Sequence, residues 1–580
     1  MKSLIILVLC FFIVSIQAKS SSARLHLDDD VNKAAQSIIF SPSDCKYGCD
    51  FFDDANWIGG QVPTAGQNII IDYSATQIIG QQYIYAKSQI SGLTFNITSK
   101  INVNTIIFQL SQSSKIGALF SIGSDVELYP DTVLVVNEYV WFDDGQFNID
   151  SNAELISFGN TIFGPDTTIF LNSTASLSTH SQAEIFGNVL GPHGMLEFFG
   201  NSSLVGSAFQ VGVVVFNSTF QITKSSGQVS VLQSTNGVLA ITASSVFVST
   251  VNVQQTITLA QLTGFDISSV QSTNYIGYLT SDQSSAVQVT GGALTTFYSV
   301  QLNGQTFVNN ATTLFGNGYI SILKVYNSNP QTNLILTNVA IDQFLAQPGV
   351  QSPFVVEIQG STSITTFNAE NVQVFVSPSG TLNFTNSEVT LGTKAQISAN
   401  GEGATIVFND TMLVGGSVIT FSSGAFGAIF ESDVNAPIYV TDPETTVSVT
   451  GDYTIFTQIE VVNGASLVVG DGQLVVTKFL YVWDASSVLL NLSTLVTNYA
   501  VTPIFAEDSI KFSKDSKLIV QSPVKGIAVG TVYYAIASPS NIALTQFQFN
   551  PSNPNPNLPV TMKSITVGGI DYTTFSFKTK

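Results

Sequence analysis

Most of the chain alternates short runs of β-branched and aromatic residues with clusters of glycine, asparagine, serine and aspartate. Alternation of apolar and polar positions with a period of two residues predicts half-buried β-strands separated by turns. Apolar residues rarely recur at the spacing of an amphipathic helix, and the helix formers lysine, glutamate, arginine and methionine are scarce. The pattern therefore predicts an all-β protein.

A recurring unit indicates how the strands are arranged. In this unit a polar turn precedes a small residue, and an alternating apolar strand follows. It begins at Gly123, Ser151, Asn172, Asn201, Ser379, Asn463 and Asp484. The first four instances lie about 21 to 29 residues apart, the length of one solenoid coil. The unit predicts a single-stranded parallel β-helix of about 20 coils, with Val, Ile and Phe stacked inward and Thr, Ser, Asn and Gln facing outward.

The alternative architecture is a series of tandem β-sandwich domains. Such domains are typically joined by regular proline-rich linkers, and immunoglobulin-type sandwiches carry a Cys…Trp…Cys pattern. Neither feature occurs in the sequence. The parallel β-helix is therefore the favoured prediction.

The segments of the chain differ in composition. Residues 1–18 combine a positive start, a short apolar run and Ala18, as in a secretory signal peptide. We expect a flexible acidic lead over 19–43, an N-terminal cap over 44–75, the β-solenoid over 76–529 and a small C-terminal β cap over 530–580. No later segment reaches 18 consecutive apolar residues. The chain is therefore expected to be secreted, extracellular and not inserted in a membrane.

Two kinds of covalent modification fit an exported chain. Cys45 and Cys49 predict a short disulfide that holds one turn, because a two-thiolate metal site would lack further ligands. Asn-x-Ser/Thr sites predict glycosylation. These sites are Asn96, Asn172, Asn201, Asn217, Asn310, Asn383, Asn409 and Asn491.

Charge composition removes several classes of function. The chain has 19 Lys and Arg residues against 39 Asp and Glu residues, and its formal net charge is −20. This charge repels nucleic acid. Arg24 is the only arginine and there are three histidines, so we expect no metal site and no cofactor. His180 and His193 are more readily explained as surface residues than as a metal pair.

Carboxylate pairs are the candidates for glycoside chemistry, which needs two of them. Asp143 and Asp144 form the best local pair, followed by Asp53 and Asp54. The simpler interpretation of Asp143–Asp144–Gly145 is a solvated turn. The sequence therefore predicts no catalytic residue.

Four aromatic residues are candidates for sugar stacking: Tyr83, Tyr85, Trp141 and Trp483. Aromatic faces suit the apolar side of a pyranose ring if they point outward. Inward packing is the ordinary alternative. The periodicity leaves their orientation open.

Residues 53–71 carry Asn-Trp, Gly-Gly, Pro and Ala-Gly before an apolar strand. This order resembles the opening motif of extracellular β-helix proteins of the autotransporter-passenger and adhesin type. The run Gly530–Ile536, followed by Phe547–Phe549, resembles the closing segment of such passengers. The resemblance implies a parallel β-helix in an extracellular setting, where adhesion is a common role.

These observations predict a non-catalytic, glycosylated β-solenoid that acts by surface recognition in adhesion, in a matrix or coat, or in cell-cell signalling. Its expected partner is a cell-surface receptor, a glycan or a matrix component. The alternative is a carbohydrate-active enzyme or a lectin-like polysaccharide binder. In the resembling pectin-cleaving hydrolases one expects Gly-His-Gly and Arg-x-Lys elements, whereas the sequence has Gly191-Pro192-His193-Gly194 and the lone Arg24. The lyases of this fold typically use Ca²⁺ with an arginine or lysine base, and no further arginine is available.

Overall fold

The computed structural model describes residues 37–42, 45–73, 81–98, 106–268, 273–291, 294–326, 333–347, 354–522, 528–540, 542, 544, 546–551 and 560–577. The predicted signal peptide (1–18) and most of the predicted lead (19–43) lie outside these ranges. The all-β prediction is confirmed: parallel coils stack into a β-solenoid of about 18 turns. Within the described residues no α-helix occurs, and two single-turn 3-10 helices span Asp54–Asn56 and Tyr499–Val501.

The chain divides into two compact units, and the first ends at Ser218. The strands of unit 1 are β1 (Ser37–Phe40), β2 (Cys49–Asp50), β3 (Asn68–Asp72), β4 (Gln82–Ala86), β5 (Thr94–Thr98), β6 (Ile106–Leu110), β7 (Ser114–Ile122), β8 (Asp125–Leu128), β9 (Val133–Asp143), β10 (Gly145–Ile149), β11 (Glu154–Ser157), β12 (Asn160–Phe163), β13 (Thr167–Leu171), β14 (Ser176–Thr179), β15 (Ala183–Ile185), β16 (Asn188–Phe198), β17 (Ser202–Val205) and β18 (Ala208–Phe216).

These strands form three parallel sheets, one on each side of the coil. The first sheet contains β2, β4, β6, β8, β10, β13 and the first halves of β16 and β18. The second contains the first halves of β7 and β9, then β11, β14 and the second halves of β16 and β18. The third contains β1, β3, β5, the second halves of β7 and β9, β12, β15 and β17.

Unit 2 begins at Thr219. Its strands are β19 (Thr219–Thr223), β20 (Ser226–Ser234), β21 (Val238–Thr242), β22 (Ser245–Ala260), β23 (Gly264–Ser268), β24 (Asn274–Ser281), β25 (Ala286–Thr290), β26 (Thr295–Asn309), β27 (Thr313–Tyr326), β28 (Asn333–Leu336), β29 (Val339–Gln347), β30 (Phe354–Ile358), β31 (Ser361–Ala369), β32 (Val372–Val376), β33 (Thr381–Thr385), β34 (Glu388–Leu391), β35 (Gln396–Asn400), β36 (Thr405–Asn409), β37 (Met412–Gly415), β38 (Val418–Ser422), β39 (Phe426–Phe430), β40 (Asp433–Thr441), β41 (Thr446–Thr450), β42 (Tyr453–Val462), β43 (Ser466–Val469), β44 (Gln473–Val476), β45 (Phe479–Val482), β46 (Ser487–Asn491), β47 (Ile504–Ala506), β48 (Ser509–Phe512), β49 (Lys517–Ser522), β50 (Val532–Ser538), β51 (Phe547–Pro551), β52 (Val560–Val567) and β53 (Ile570–Phe577).

Unit 2 also stacks its strands in parallel on three sides. The clearest case is β26, whose three successive segments pair with three segments of β27. One of its sheets runs through β38, the second halves of β40 and β42, then β45 and β48. Antiparallel pairing joins β50 to β53 and β52 to β53, within the segment predicted as the C-terminal cap.

The recurring unit of the sequence forms the corners of the coil. Asn152 and Asn463 adopt left-handed backbone conformations, with φ of 59° and 58°, which asparagine tolerates better than most residues. The small residue that completes each turn, Ala153 or Ala465, is fully buried. A buried corner has little room for a larger side chain, so the alanine allows the chain to turn and begin the next strand.

Inward side chains stack from coil to coil because parallel register places like positions above one another. Phe297 and Phe315 are both completely buried, and their ring centroids lie 5.0 Å apart. Phe344 stacks in the same way on Phe367, at 4.8 Å. This stacking builds the apolar interior that the sequence predicts.

An aromatic cluster fills the N-terminal end of unit 1. Trp57 is buried, and its ring meets Phe40 and Phe51 edge-on at 4.9 Å each. Its indole N–H donates a hydrogen bond to the Phe51 carbonyl at 2.8 Å. Phe40 belongs to β1, so the end of the segment assigned to the flexible lead forms a strand that pairs with β3.

A buried asparagine provides a test of this architecture. Asn274 has no exposed surface; its Oδ1 accepts from the Val251 N–H at 2.8 Å and its Nδ2 donates to the Thr295 hydroxyl at 3.0 Å. It therefore links β22, β24 and β26. We expect Asn274→Ala to cost about 1–3 kcal/mol, because the partners stay buried without their hydrogen bonds. A lower urea midpoint would measure this loss.

The matched control is Asn309→Ala, which removes an exposed asparagine at the end of β26. We expect it to change stability by no more than about 0.5 kcal/mol. Equal midpoints for the two variants would contradict the structural role of Asn274.

Candidate functional site

The predicted disulfide is present and fixes one turn against β4. Cys45 and Cys49 are bonded, and their Cα atoms are 5.1 Å apart. The Tyr83 N–H donates to the Cys45 carbonyl at 3.0 Å. Gly48 lies in the turn at φ +95°, and an added Cβ would come within 2.1 Å of the Tyr85 ring. The turn therefore needs glycine here, where the Tyr85 ring lies directly against the backbone.

The eight glycosylation sequons all present their asparagine on the outer surface. Asn172, Asn201, Asn217 and Asn491 are exposed, and Asn96, Asn310, Asn383 and Asn409 are half-buried. This placement is compatible with glycosylation, which remains a prediction.

The second carboxylate pair has structural contacts. Asp53 Oδ1 accepts the Ala55 N–H at 3.0 Å and caps the 3-10 helix, and Asp54 Oδ1 accepts the Val62 N–H at 3.2 Å. Both therefore hold the loop before β3.

Asp143 and Asp144 lie at the turn between β9 and β10. Asp143 ends β9 and is half-buried, and Asp144 adopts the left-handed conformation at φ 58°. Burial raises the pKa of Asp144, and the Asp166 carboxylate raises it further. Burial also raises the pKa of Asp125, against the lowering effect of a hydrogen bond from the Gln146 N–H. The structure thus groups Asp144 with carboxylates of neighbouring coils.

The two histidines lie at different corners of unit 1. His180 follows β14, between the second and third sheets, whereas His193 lies within β16 where the chain passes from the first sheet to the second. The part of the chain that the structure describes contains no group of three or more His, Cys, Asp or Glu residues suited to a metal ion.

The four candidate aromatic residues are half-exposed on the outer face. Tyr83 and Tyr85 stack at 6.4 Å on β4. Trp141 and Trp483 lie at outward positions, and their strand neighbours Val140 and Val482 point into the core. The structure therefore shows that all four aromatic side chains point outward, which periodicity alone left open.

Trp141 belongs to a group that we call the β9 platform, formed by Phe120, Tyr139 and Trp141. Phe120 and Tyr139 stack at 5.6 Å, and Tyr139 lies 6.3 Å from Trp141. Burial raises the pKa of Tyr139 to about 12, with a further contribution from the Glu184 carboxylate. The Tyr139 hydroxyl therefore keeps its proton at physiological pH and is able to donate a hydrogen bond.

Trp483 belongs to a second group, the β45 platform, formed by Phe479, Tyr481 and Trp483 at alternate positions. Phe479 and Tyr481 stack at 4.1 Å, and Trp483 is inclined at 67° to Tyr481 at 5.7 Å. The platform therefore presents a stacked pair beside a tilted indole. All three rings are half-exposed.

Charged neighbours flank the central ring of the β45 platform. The Lys511 ammonium lies 4.9 Å from the Tyr481 ring centroid and donates to the Tyr481 hydroxyl at 3.3 Å. Glu460 is the register partner of Tyr481 on the opposite side. A hydrogen-bond donor and an acceptor therefore lie beside the rings, which is the combination that sugar hydroxyls use.

A third aromatic group, which we call the corner ladder, consists of Phe158, His180 and Phe199 and was not predicted from the sequence. His180 stacks between Phe158 at 4.7 Å and Phe199 at 4.5 Å. Phe158 is 51% exposed and Phe199 is 41% exposed. Each residue immediately follows a strand of the second sheet, and this recurrence of a ring after a strand was the available signal.

The turn carboxylate gives a pH-dependent prediction. Because the pKa of Asp144 is raised in the folded state, its ionisation at neutral pH disfavours folding. We expect Asp144→Asn to increase the free energy of unfolding at pH 7 and so to raise the thermal midpoint. The increase should be no more than about 1 kcal/mol, because solvent screens the carboxylate. The gain should shrink as the pH falls towards the ordinary aspartate value of 3.8.

Thermal denaturation between pH 7 and pH 4 measures this effect. Asp410→Asn is the matched control, because Asp410 is exposed and shares the left-handed conformation. A gain for Asp144→Asn that persists at pH 4 would count against ionisation as its cause.

Comparison with known proteins assigns nothing further to these surfaces. No protein family and no curated protein matches the chain. Within the described residues, no helix has the length and apolar character needed to cross a membrane. The functional interpretation therefore rests on the geometry of the outer faces.

Proposed function

We propose that the chain is a secreted, non-catalytic β-solenoid that recognises glycans of a cell surface or matrix, in the manner of the extracellular adhesins that its terminal motifs resemble. The observation that carries the proposal is the β45 platform: two half-exposed rings on β45 and a third, Trp483, directly after it, with Lys511 and Glu460 beside the middle ring. Exposed aromatic side chains on a soluble protein favour a binding role.

The chemistry of the platform suits carbohydrate. The C–H faces of pyranose rings pack on aromatic faces, and sugar hydroxyls need nearby donors and acceptors. A repetitive polysaccharide would also match a repetitive protein surface.

The first test is removal of the rings. We expect Tyr481→Ala and Trp483→Ala each to weaken binding of a soluble polysaccharide about tenfold, because each removes aromatic contact worth about 1 kcal/mol or more. Affinity electrophoresis of the full secreted chain in gels containing a β-glucan, a galactomannan or a glycol chitin measures the retardation.

Tyr453→Ala is the matched control. Tyr453 is 54% exposed and lies at the start of β42, outside the sheet that carries the platform. It should bind like the wild type. Equal binding by all three variants would exclude the β45 platform as the site, and absence of saturable, competed binding of labelled protein to cells would exclude surface recognition.

An enzyme acting on carbohydrate is the second candidate, and one observation favours it. Trp141 and Asp143 share the outer face of β9, and the adjacent Asp144 has the raised pKa that suits a general acid. New reducing ends released from one of the same polysaccharides, and lost in Asp143→Asn, would move the assignment to a hydrolase.

A further inference from the structure

The corner ladder ends at a glycosylation sequon. Its three rings lie at equivalent positions of successive coils. Backbone hydrogen bonds of one type, at 2.8–2.9 Å, show this: Phe158 N–H to Val136 O, His180 N–H to Ser157 O and Phe199 N–H to Thr179 O. A fourth bond of the same type joins Asn217 N–H to Phe198 O at 2.9 Å. Asn217 therefore occupies the rung directly after Phe199. Its side chain is exposed, as are the three rings.

This register brings the sequon amide next to an exposed ring. Neighbouring parallel strands lie about 4.8 Å apart and their side chains at matched positions point the same way. A sugar attached to Asn217 would begin one coil away from the Phe199 ring. The apolar face of this sugar would then be able to cover the solvent-exposed Phe199 ring.

A second sequon lies close by but is placed differently. Asn201 Oδ1 accepts the hydroxyl of Ser218 at 2.7 Å, so its amide is already held at the turn. Asn201 lies two residues after Phe199 in the same coil, whereas Asn217 lies at the matching position of the next coil and so extends the stack of rings. The stacking position therefore selects Asn217.

We propose that an N-linked glycan on Asn217 packs back on the Phe199 ring and covers the corner ladder. The proposal rests on the secretion that is part of the proposed function. It concerns a glycan that the chain carries, not a glycan that the chain recognises.

In the glycosylation step, Asn217 Nδ2 bonds to the anomeric carbon of an oligosaccharide carried on a polyprenyl diphosphate. The carbon–oxygen bond to the diphosphate breaks, the diphosphate leaves with the electron pair, and the amide loses one proton to a base.

Glycan release from the native protein tests the packing. The full chain is secreted from a eukaryotic host, its sequon occupancy is mapped by mass spectrometry, and an amidase removes the glycans under native conditions. We expect release from Asn217 to be about threefold to tenfold slower than from the exposed Asn491, since the packed sugar must first leave the ring. Phe199→Ala should abolish the difference.

Stability gives an independent measurement through a double-mutant cycle. Asn217→Gln removes the glycan and should lower the unfolding midpoint in the Phe199 background but not in the Phe199→Ala background. Asn491→Gln is the matched control and should show no coupling with Phe199. Lack of coupling at Asn217, or equal release rates at the two sites, would overturn the proposal.

The outcomes separate this inference from the proposed function. A secreted chain glycosylated elsewhere but empty at Asn217, or one whose slowly released glycan is on Asn201, overturns the corner-ladder assignment and leaves surface recognition intact. A chain that is not exported and carries no glycan overturns both. Polysaccharide binding through the β45 platform is measured separately and does not depend on Asn217.

Discussion

Backbone hydrogen bonding between parallel coils is the constraint on which the remaining features depend. Strands inside the stack, such as β10, β11 and β12, pair with the coil before and the coil after them, so residues in register share a side of the sheet. Inward positions form apolar stacks, such as Phe384 on Phe408 at 5.4 Å. Outward side chains, whether polar or aromatic, also line up from coil to coil because of the same register.

This constraint lets the outer surface do without many charges. The Ser178 hydroxyl, for example, lies within hydrogen-bond distance of the Glu154 and Glu197 carboxylates of the coils on either side, and it donates its one proton to either of them. Lys87 and Asp50 form an ion pair at 3.4 Å. Hydrogen bonds of Ser, Thr, Asn and Gln side chains also join neighbouring coils.

Both proposed carbohydrate contacts, at the β45 platform and at the corner ladder, depend on aligned outward side chains. The two sites differ in how these side chains are arranged. The β45 platform occupies alternate positions along β45 and the residue that follows it, and Lys511 and Glu460 lie in the strands on either side. The corner ladder instead crosses successive coils through single residues. The first geometry suits a ligand that arrives from solution, and the second suits a sugar tethered at the end of the stack.

The sequence alone determined the all-β class, the parallel solenoid, the local disulfide and the small residues at the corners, because each depends on short-range alternation or turn chemistry. It also predicted about 20 coils, close to the about 18 turns of the structure. It also assigned Phe40 to a flexible lead, although the residue packs on Trp57 in the folded chain.

Only the tertiary structure decided which aromatic residues share a surface. Trp57 is buried while Trp141 and Trp483 face outward. Composition and periodicity describe all three as aromatic residues near β-strands. Similarly, Phe158, His180 and Phe199 are each one coil apart along the chain, and coil length varies. Their contact therefore depends on the register of every intervening turn, which no local pattern specifies.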